Sequence, residues 1–222
     1  MNIRTFAALG AASLSLGLVA CGDDDEGTAT AAGGEPATTT AAPAPVAQVD
    51  ALTGEQTEVA LDAGFVKALT SLKVTPGPVG DATIEKGVAS FPITGGNVKY
   101  FEPGTVSPYV QGMINHTGSG LSLEAGGKLV ELENFDVDPG RSVLTGDVSV
   151  DGKEAVADAP LFFLDGRTLK PLAAGSEDTA VLDGTTVKLK AEAAELLNTT
   201  FGIDALTEGL VIGVATITIA TK

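Results

Sequence analysis

The chain has little of what most catalytic, metal and redox chemistry requires. Its 222 residues include no tryptophan, one histidine (His116), one cysteine (Cys21), two tyrosines (Tyr100 and Tyr109) and a single methionine beyond the initiator, Met113. One cysteine rules out an internal disulfide. A zinc centre takes three or four ligands, so carboxylates would have to supply nearly all of them here. A serine triad lacks its sequence frame: there is no Gly-x-Ser-x-Gly elbow, and Ser119 stands too close to His116 along the chain to imply attack geometry. Bases are scarce as well, with 13 Lys and Arg against 29 Asp and Glu and a net charge of −16. Such a surface repels phosphate backbones, which excludes a nucleic-acid partner. No apolar run reaches membrane-spanning length; the run over residues 6–20, broken by serines and glycines, is too short.

That run, preceded by Arg4, has the layout of a secretory signal over residues 1–20. It ends Leu18-Val19-Ala20-Cys21-Gly22, which resembles the lipobox of bacterial lipoproteins. The resemblance implies cleavage before Cys21, a diacylglycerol thioether on its thiol, and a protein anchored by lipid to the extracytoplasmic face of the bacterial cell membrane. Two or three acyl chains, at roughly 0.8 kcal/mol per buried methylene, make a stable anchor. Residues 21–50 follow as the lipidated cysteine and a flexible acidic linker of Ala, Thr, Gly and Pro, with six acids and no base in residues 22–50. As a coil this stretch would average on the order of 30 Å end to end.

Residues 51–222 are then a single β-rich domain. The 28 glycines and abundant valine and threonine favour short strands and tight turns, and the fold expected is mainly β: an antiparallel sandwich or barrel with two short helices. A repeat brackets it. Thr57-Glu58-Val59-Ala60-Leu61-Asp62-Ala63 matches Thr185-Thr186-Val187-Lys188-Leu189-Lys190-Ala191, and Gly87-Val88-Ala89-Ser90-Phe91-Pro92-Ile93 lines up with Gly213-Val214-Ala215-Thr216-Ile217-Thr218-Ile219. Each copy, 57–93 and 185–219, reads strand, helix, strand. Phe65, Leu69 and Leu72 mark one helical face before Pro76-Gly77-Pro78, and residues 191–197 form a second helix that Gly202 ends. Between the copies a β-meander has strands near 97–101, 109–116, 121–124, 128–137, 143–150 and 160–164. Its turns fall at Ala125-Gly126-Gly127, Asp138-Pro139-Gly140 and Asp151-Gly152, with further turns at Asp165-Gly166 and Asp183-Gly184. A change in apolar parity from Val130 and Leu132 to Phe135 and Val137 predicts a bulge near Glu133 and Asn134.

Chemistry has one place to start, the stretch from Gln111 to Leu123 that holds Met113 and His116 and has both tyrosines just upstream. His116 is the candidate ligand-binding residue, as base, metal ligand or partner to a cofactor ligand; Tyr109, Tyr100 and Met113 accompany it. Asp136, Asp138 and Asp147 leave two readings, calcium held through oxygen ligands at one end of a hairpin or solvated turn acids.

Several of these segments together resemble the HtaA-type domain, a family of secreted or surface-anchored actinobacterial β-rich modules: the helix with Phe65, Phe91-Pro92-Ile93-Thr94-Gly95-Gly96, Gly112-x-Ile114-x-His116-x-Gly118, Leu121-Ser122-Leu123 and Leu144-Thr145-Gly146-Asp147-Val148. The similarity covers roughly residues 57–165. Some members bind haem through a tyrosine supported by a histidine, and by that resemblance His116 takes the histidine's place. The tyrosine's place, three after Phe65, is Ala68 here, which leaves Tyr109 or Tyr100 as substitutes. The expectation is a non-enzymatic, membrane-anchored, surface-exposed binding or interaction module of the cell envelope, partnered by an envelope protein, polymer or small molecule. Haem binding for iron acquisition is the alternative, and an envelope hydrolase the second.

Overall fold

In the computed structural model the described residues are 42–176 and 178–221. The signal segment, Cys21 and most of the linker lie outside them. Alternating apolar residues build β1 (Ala47–Val49), β2 (Glu55–Leu61), β3 (Thr75–Gly80), β4 (Thr83–Glu85), β5 (Val88–Pro92), β6 (Gly95–Tyr100), β7 (Val110–Ala125), β8 (Lys128–Asp138), β9 (Val143–Val150), β10 (Lys153–Asp165), β11 (Ala173–Ala174), β12 (Thr179–Leu189) and β13 (Val211–Ala220). Helix α1 (Ala63–Leu72) follows β2, and α2 (Ala191–Phe201) follows β12.

All the strands belong to one antiparallel sheet in the order β1-β6-β7-β8-β9-β10-β12-β13-β2-β5-β4, with β3 beside β7 and β11 beside β12. The sheet curls into a half-barrel, the barrel form of the expected fold. The curl is set by β7: its first half pairs with β6 and its second half with β3, both on the edge opposite β8. Pro76 and Pro78 therefore do more than follow a helix. They stand in β3, an edge strand, where a missing N–H costs little.

The expected turn after His116 is a bulge. Segments 109–116 and 121–124 are one strand, β7, whose pairing with β8 slips between His116 and Gly120. Gly118 supplies the positive φ of 78° that this slip needs, and its N–H is capped by the Asn134 side chain at 2.9 Å. Asn134 itself is left-handed, and the ladder from β8 to β9 shifts between Glu133 and Asp136, where the change of parity placed a bulge. Asp183-Gly184 is likewise a bulge inside β12 and not a turn, because the strand continues against β13 on both sides of it. Strand β10 starts directly after Asp151-Gly152, earlier than the expected 160. Part of the stretch read as linker, Ala47–Val49, is a strand on β6.

The second bracketing unit forms strand, helix, strand; the first has the same strand, helix and strand with β3 and β4 inserted between α1 and β5. Asp62 caps α1 by accepting from the N–H groups of Gly64 and Phe65, and Gly202 ends α2 in the left-handed conformation. Their registers differ by two residues. Val59 faces Ala89, whereas Ala215, the repeat partner of Ala89, faces Thr185 and not Val187. Phe65 and Leu69 of α1, and Ala193, Ala194 and Leu197 of α2, are buried in the common core.

Candidate functional site

The curl leaves a cavity of about 680 Å³ on the concave face of the sheet. Strands β2, β5 and β13 contribute Thr57, Val59, Leu61, Ala89, Phe91, Ile212, Ala215 and Ile217. Strands β7, β8, β10 and β12 add Ile114, His116, Leu121, Phe135, Val137, Phe162, Leu164, Leu182 and Val187. Pro108, Tyr109, Pro139, Ser142, Asp165 and Arg167 are among the other lining residues. The lining is overwhelmingly aliphatic and aromatic, the composition of a pocket that holds an apolar molecule, and its volume falls in the range of such sites.

His116 stands in this lining because β7 turns its even-numbered residues inward before the bulge. It is 1 % exposed. Its Nδ1 lies 3.1 Å from the Phe135 carbonyl oxygen, which only accepts, so Nδ1 carries the proton. Nε2 is then the acceptor for the Thr57 hydroxyl, which donates at 2.8 Å. Burial lowers the imidazole pKa to about 4, against the opposing pull of the Phe135 carbonyl and the Asp136 charge. His116 is therefore a neutral, fully engaged imidazole at physiological pH. As a general base it is weak, because a useful base titrates near the working pH.

An edge-to-face aromatic chain leads away from it. Phe91 meets His116 at 6.5 Å between ring centroids, Phe135 meets Phe91 at 5.3 Å and Phe162 meets Phe135 at 6.5 Å. Tyr109 also lines the cavity, half-buried, with its ring perpendicular to Tyr100 at 5.8 Å. Burial and Tyr100 raise its pKa, so the phenol is neutral. Tyr100 is buried outside the lining, its hydroxyl 3.4 Å from the Leu172 N–H, and Met113 is half-buried in β7 opposite Asn97, also outside the lining.

Of the expected site, the structure thus brings His116 and Tyr109 to one cavity and leaves Tyr100 and Met113 out of it. The three aspartates do not gather. Asp136 accepts from Asn115, Asp138 caps the turn to Arg141, and Asp147 accepts from Asn134 and from the Asp158 N–H. Among the described residues no cluster of acids, histidine or cysteine is arranged to hold a metal ion. The Ser119 hydroxyl donates to the His116 carbonyl oxygen, away from the ring. Sequence reasoning missed Thr57 as a site residue, although its burial at 6 % as a polar residue follows from its place in the inward-facing row with Val59.

No family model matches the sequence, and no curated protein matches it. Solved structures do match the fold. The C-terminal domain of HtaA from Corynebacterium glutamicum superposes with a TM-score of 0.53 at 16 % identity, covering 76 % of this chain and 97 % of that one. This chain has the HtaA-type fold. The structure of the haem-binding protein HtaB from Corynebacterium glutamicum aligns with a TM-score of 0.46 at 12 % identity, over 79 % of this chain and 96 % of that one. The likeness of fold agrees with the resemblance noted over residues 57–165.

The residues test the fit to haem unevenly. The apolar lining and the volume suit a macrocycle, and His116 faces it. Among the described residues the iron ligand set is missing, because both His116 nitrogens are engaged, Tyr109 is a neutral phenol, and no other histidine, tyrosine, cysteine or methionine among them lines the cavity.

Proposed function

We propose that this protein is a non-enzymatic binding module of the cell envelope that holds a large apolar small molecule inside the half-barrel, and that Cys21 anchors it by lipid to the extracytoplasmic face of the membrane. The observation that carries the binding role is the 680 Å³ apolar cavity with His116 in its wall. The HtaA-type fold and the position of His116 favour haem among such ligands, with iron acquisition as the role. Titrating the full chain with hemin and following the Soret band tests this reading: saturable binding in the micromolar range is expected. No spectral change at those concentrations would sink haem as the ligand.

The anchorage rests on the lipobox-like Leu18-Val19-Ala20-Cys21. Cys21→Ser is expected to move the protein from the membrane fraction to the soluble one. An unchanged distribution would remove that part of the proposal.

A further inference from the structure

At the floor of the cavity the Thr57 hydroxyl and the His116 ring close on each other and on the Phe135 carbonyl, and no fully buried side-chain nitrogen or oxygen among the described residues lacks a partner. A ligand reaching this floor is therefore offered no free hydrogen-bonding group by the pair, and a group without polar atoms enters there without loss. A plain hydrocarbon meets that condition.

The rim has the opposite character. Asp165 is nearly buried there and receives two cations, Arg167 through a bidentate pair, Nε at 2.9 Å and Nη2 at 2.6 Å, and Lys188 through Nζ at 2.7 Å. Arg141, exposed on the turn between Pro139 and Ser142, has no carboxylate partner among the described residues; the adjacent Asp138 is turned to the Arg141 backbone N–H. Of the charged residues that line the cavity, Asp165 and Arg167, the carboxylate is shared with Lys188, so this cluster carries two cations against one carboxylate in a protein whose overall charge is −16. Arg167 lines the cavity while its side chain is 82 % exposed, so its planar fork can turn from Asp165 toward an anion at the opening, leaving Lys188 on the carboxylate.

We infer that the cavity accepts a long-chain carboxylate of the fatty-acid class, its hydrocarbon chain among Phe91, Phe135 and Phe162 and its carboxylate at Arg167, held without coordination to any metal. This rests on the reading of the cavity as a binding site and departs from haem only in the ligand. His116 is the chain's sole histidine, so its imidazole gives a single, self-assigned NMR signal that reports occupancy of the cavity.

The experiment titrates the full chain with palmitic acid, hexadecan-1-ol and hemin, reading calorimetric affinity and the His116 signal together. Palmitic acid is expected to bind and shift the signal, hexadecan-1-ol to bind about tenfold more weakly for want of a charge-assisted contact, and Arg167→Gln to weaken palmitic acid alone by about tenfold. Equal affinity for acid and alcohol, or no effect of Arg167→Gln, would overturn the carboxylate contact. Palmitic acid that binds without moving the His116 signal, or fails to bind while hemin binds, overturns the inference and leaves the binding module standing. If none of the three moves the signal, the cavity is not a binding site and both readings fall.

Discussion

At the floor of the cavity His116 is 1 % exposed, neutral and bonded through both ring nitrogens, while at the rim Arg167 is 82 % exposed and shares one carboxylate with Lys188. The two regions lie on the same sheet and differ in what each can offer a ligand. The floor contributes contact area and excludes polar atoms, and its own polar pair serves the fold. The rim is charged, and only its Arg167 arm is exposed and of small worth as an ion pair, since Asp165 and Lys188 are mostly buried. Stability and recognition are thus carried by different residues, and substitutions at the floor test whether that division holds.

The largest effect is expected from Phe135→Ala. Phe135 is 4 % exposed and links Phe91 to Phe162, so its truncation removes the middle of the aromatic chain and should cost about 4 kcal/mol in denaturant unfolding. A loss under about 1 kcal/mol would mean that the floor is as dispensable as the rim.

Acid is expected to act next. His116 stays neutral in the folded protein down to about pH 4, whereas in the unfolded chain it protonates near the ordinary histidine value of 6.5. The resulting stability is complete above pH 6.5 and is lost as the pH falls toward 4. A gap of this size amounts to roughly 3 kcal/mol. His116→Gln does not titrate, so the difference between its stability profile and that of the wild type should vary across this window. Parallel profiles would show that the imidazole is not held neutral.

Thr57→Val sharpens the comparison at a smaller scale. It leaves His116 Nε2 buried without its donor and should cost about 1 to 2 kcal/mol. It also exposes that nitrogen to the cavity. If haem is the ligand, hemin affinity should rise in Thr57→Val; if the ligand is a metal-free carboxylate, palmitic acid affinity should not change. Unchanged stability in this variant would argue against the Thr57 to His116 bond.

Much of the fold was legible along the chain. Alternation over Val130, Leu132, Phe135 and Val137 located β8 and its bulge, because a parity change leaves only that way to keep both halves buried. Phe65 and Leu69, three and four apart from their neighbours, located α1. Glycine was harder to interpret. Gly118 and Gly184 provide the same positive φ in a bulge as in a turn, and what distinguishes the two is whether the strand finds a partner on the far side. The site was half legible. His116 was conspicuous by being alone, and Tyr109 by its nearness, but nearness in sequence also suggested Tyr100 and Met113, which do not line the cavity.

Composition alone restricted the chemistry: one histidine and one cysteine supply few ligands for a soft metal, and the surplus of acids gives the chain a net charge of −16. Periodicity alone selected antiparallel strands and two short helices. Closure of the sheet required the long β7 to take β6 and β3 on one edge, and that long-range pairing is invisible to local pattern. The same closure brings Thr57 to His116 across 59 positions of sequence. An imidazole that reads as reactive in the sequence becomes, once buried against a hydroxyl and a carbonyl, a quiet part of an apolar wall, because desolvation removes its charge and the two hydrogen bonds use up its nitrogens.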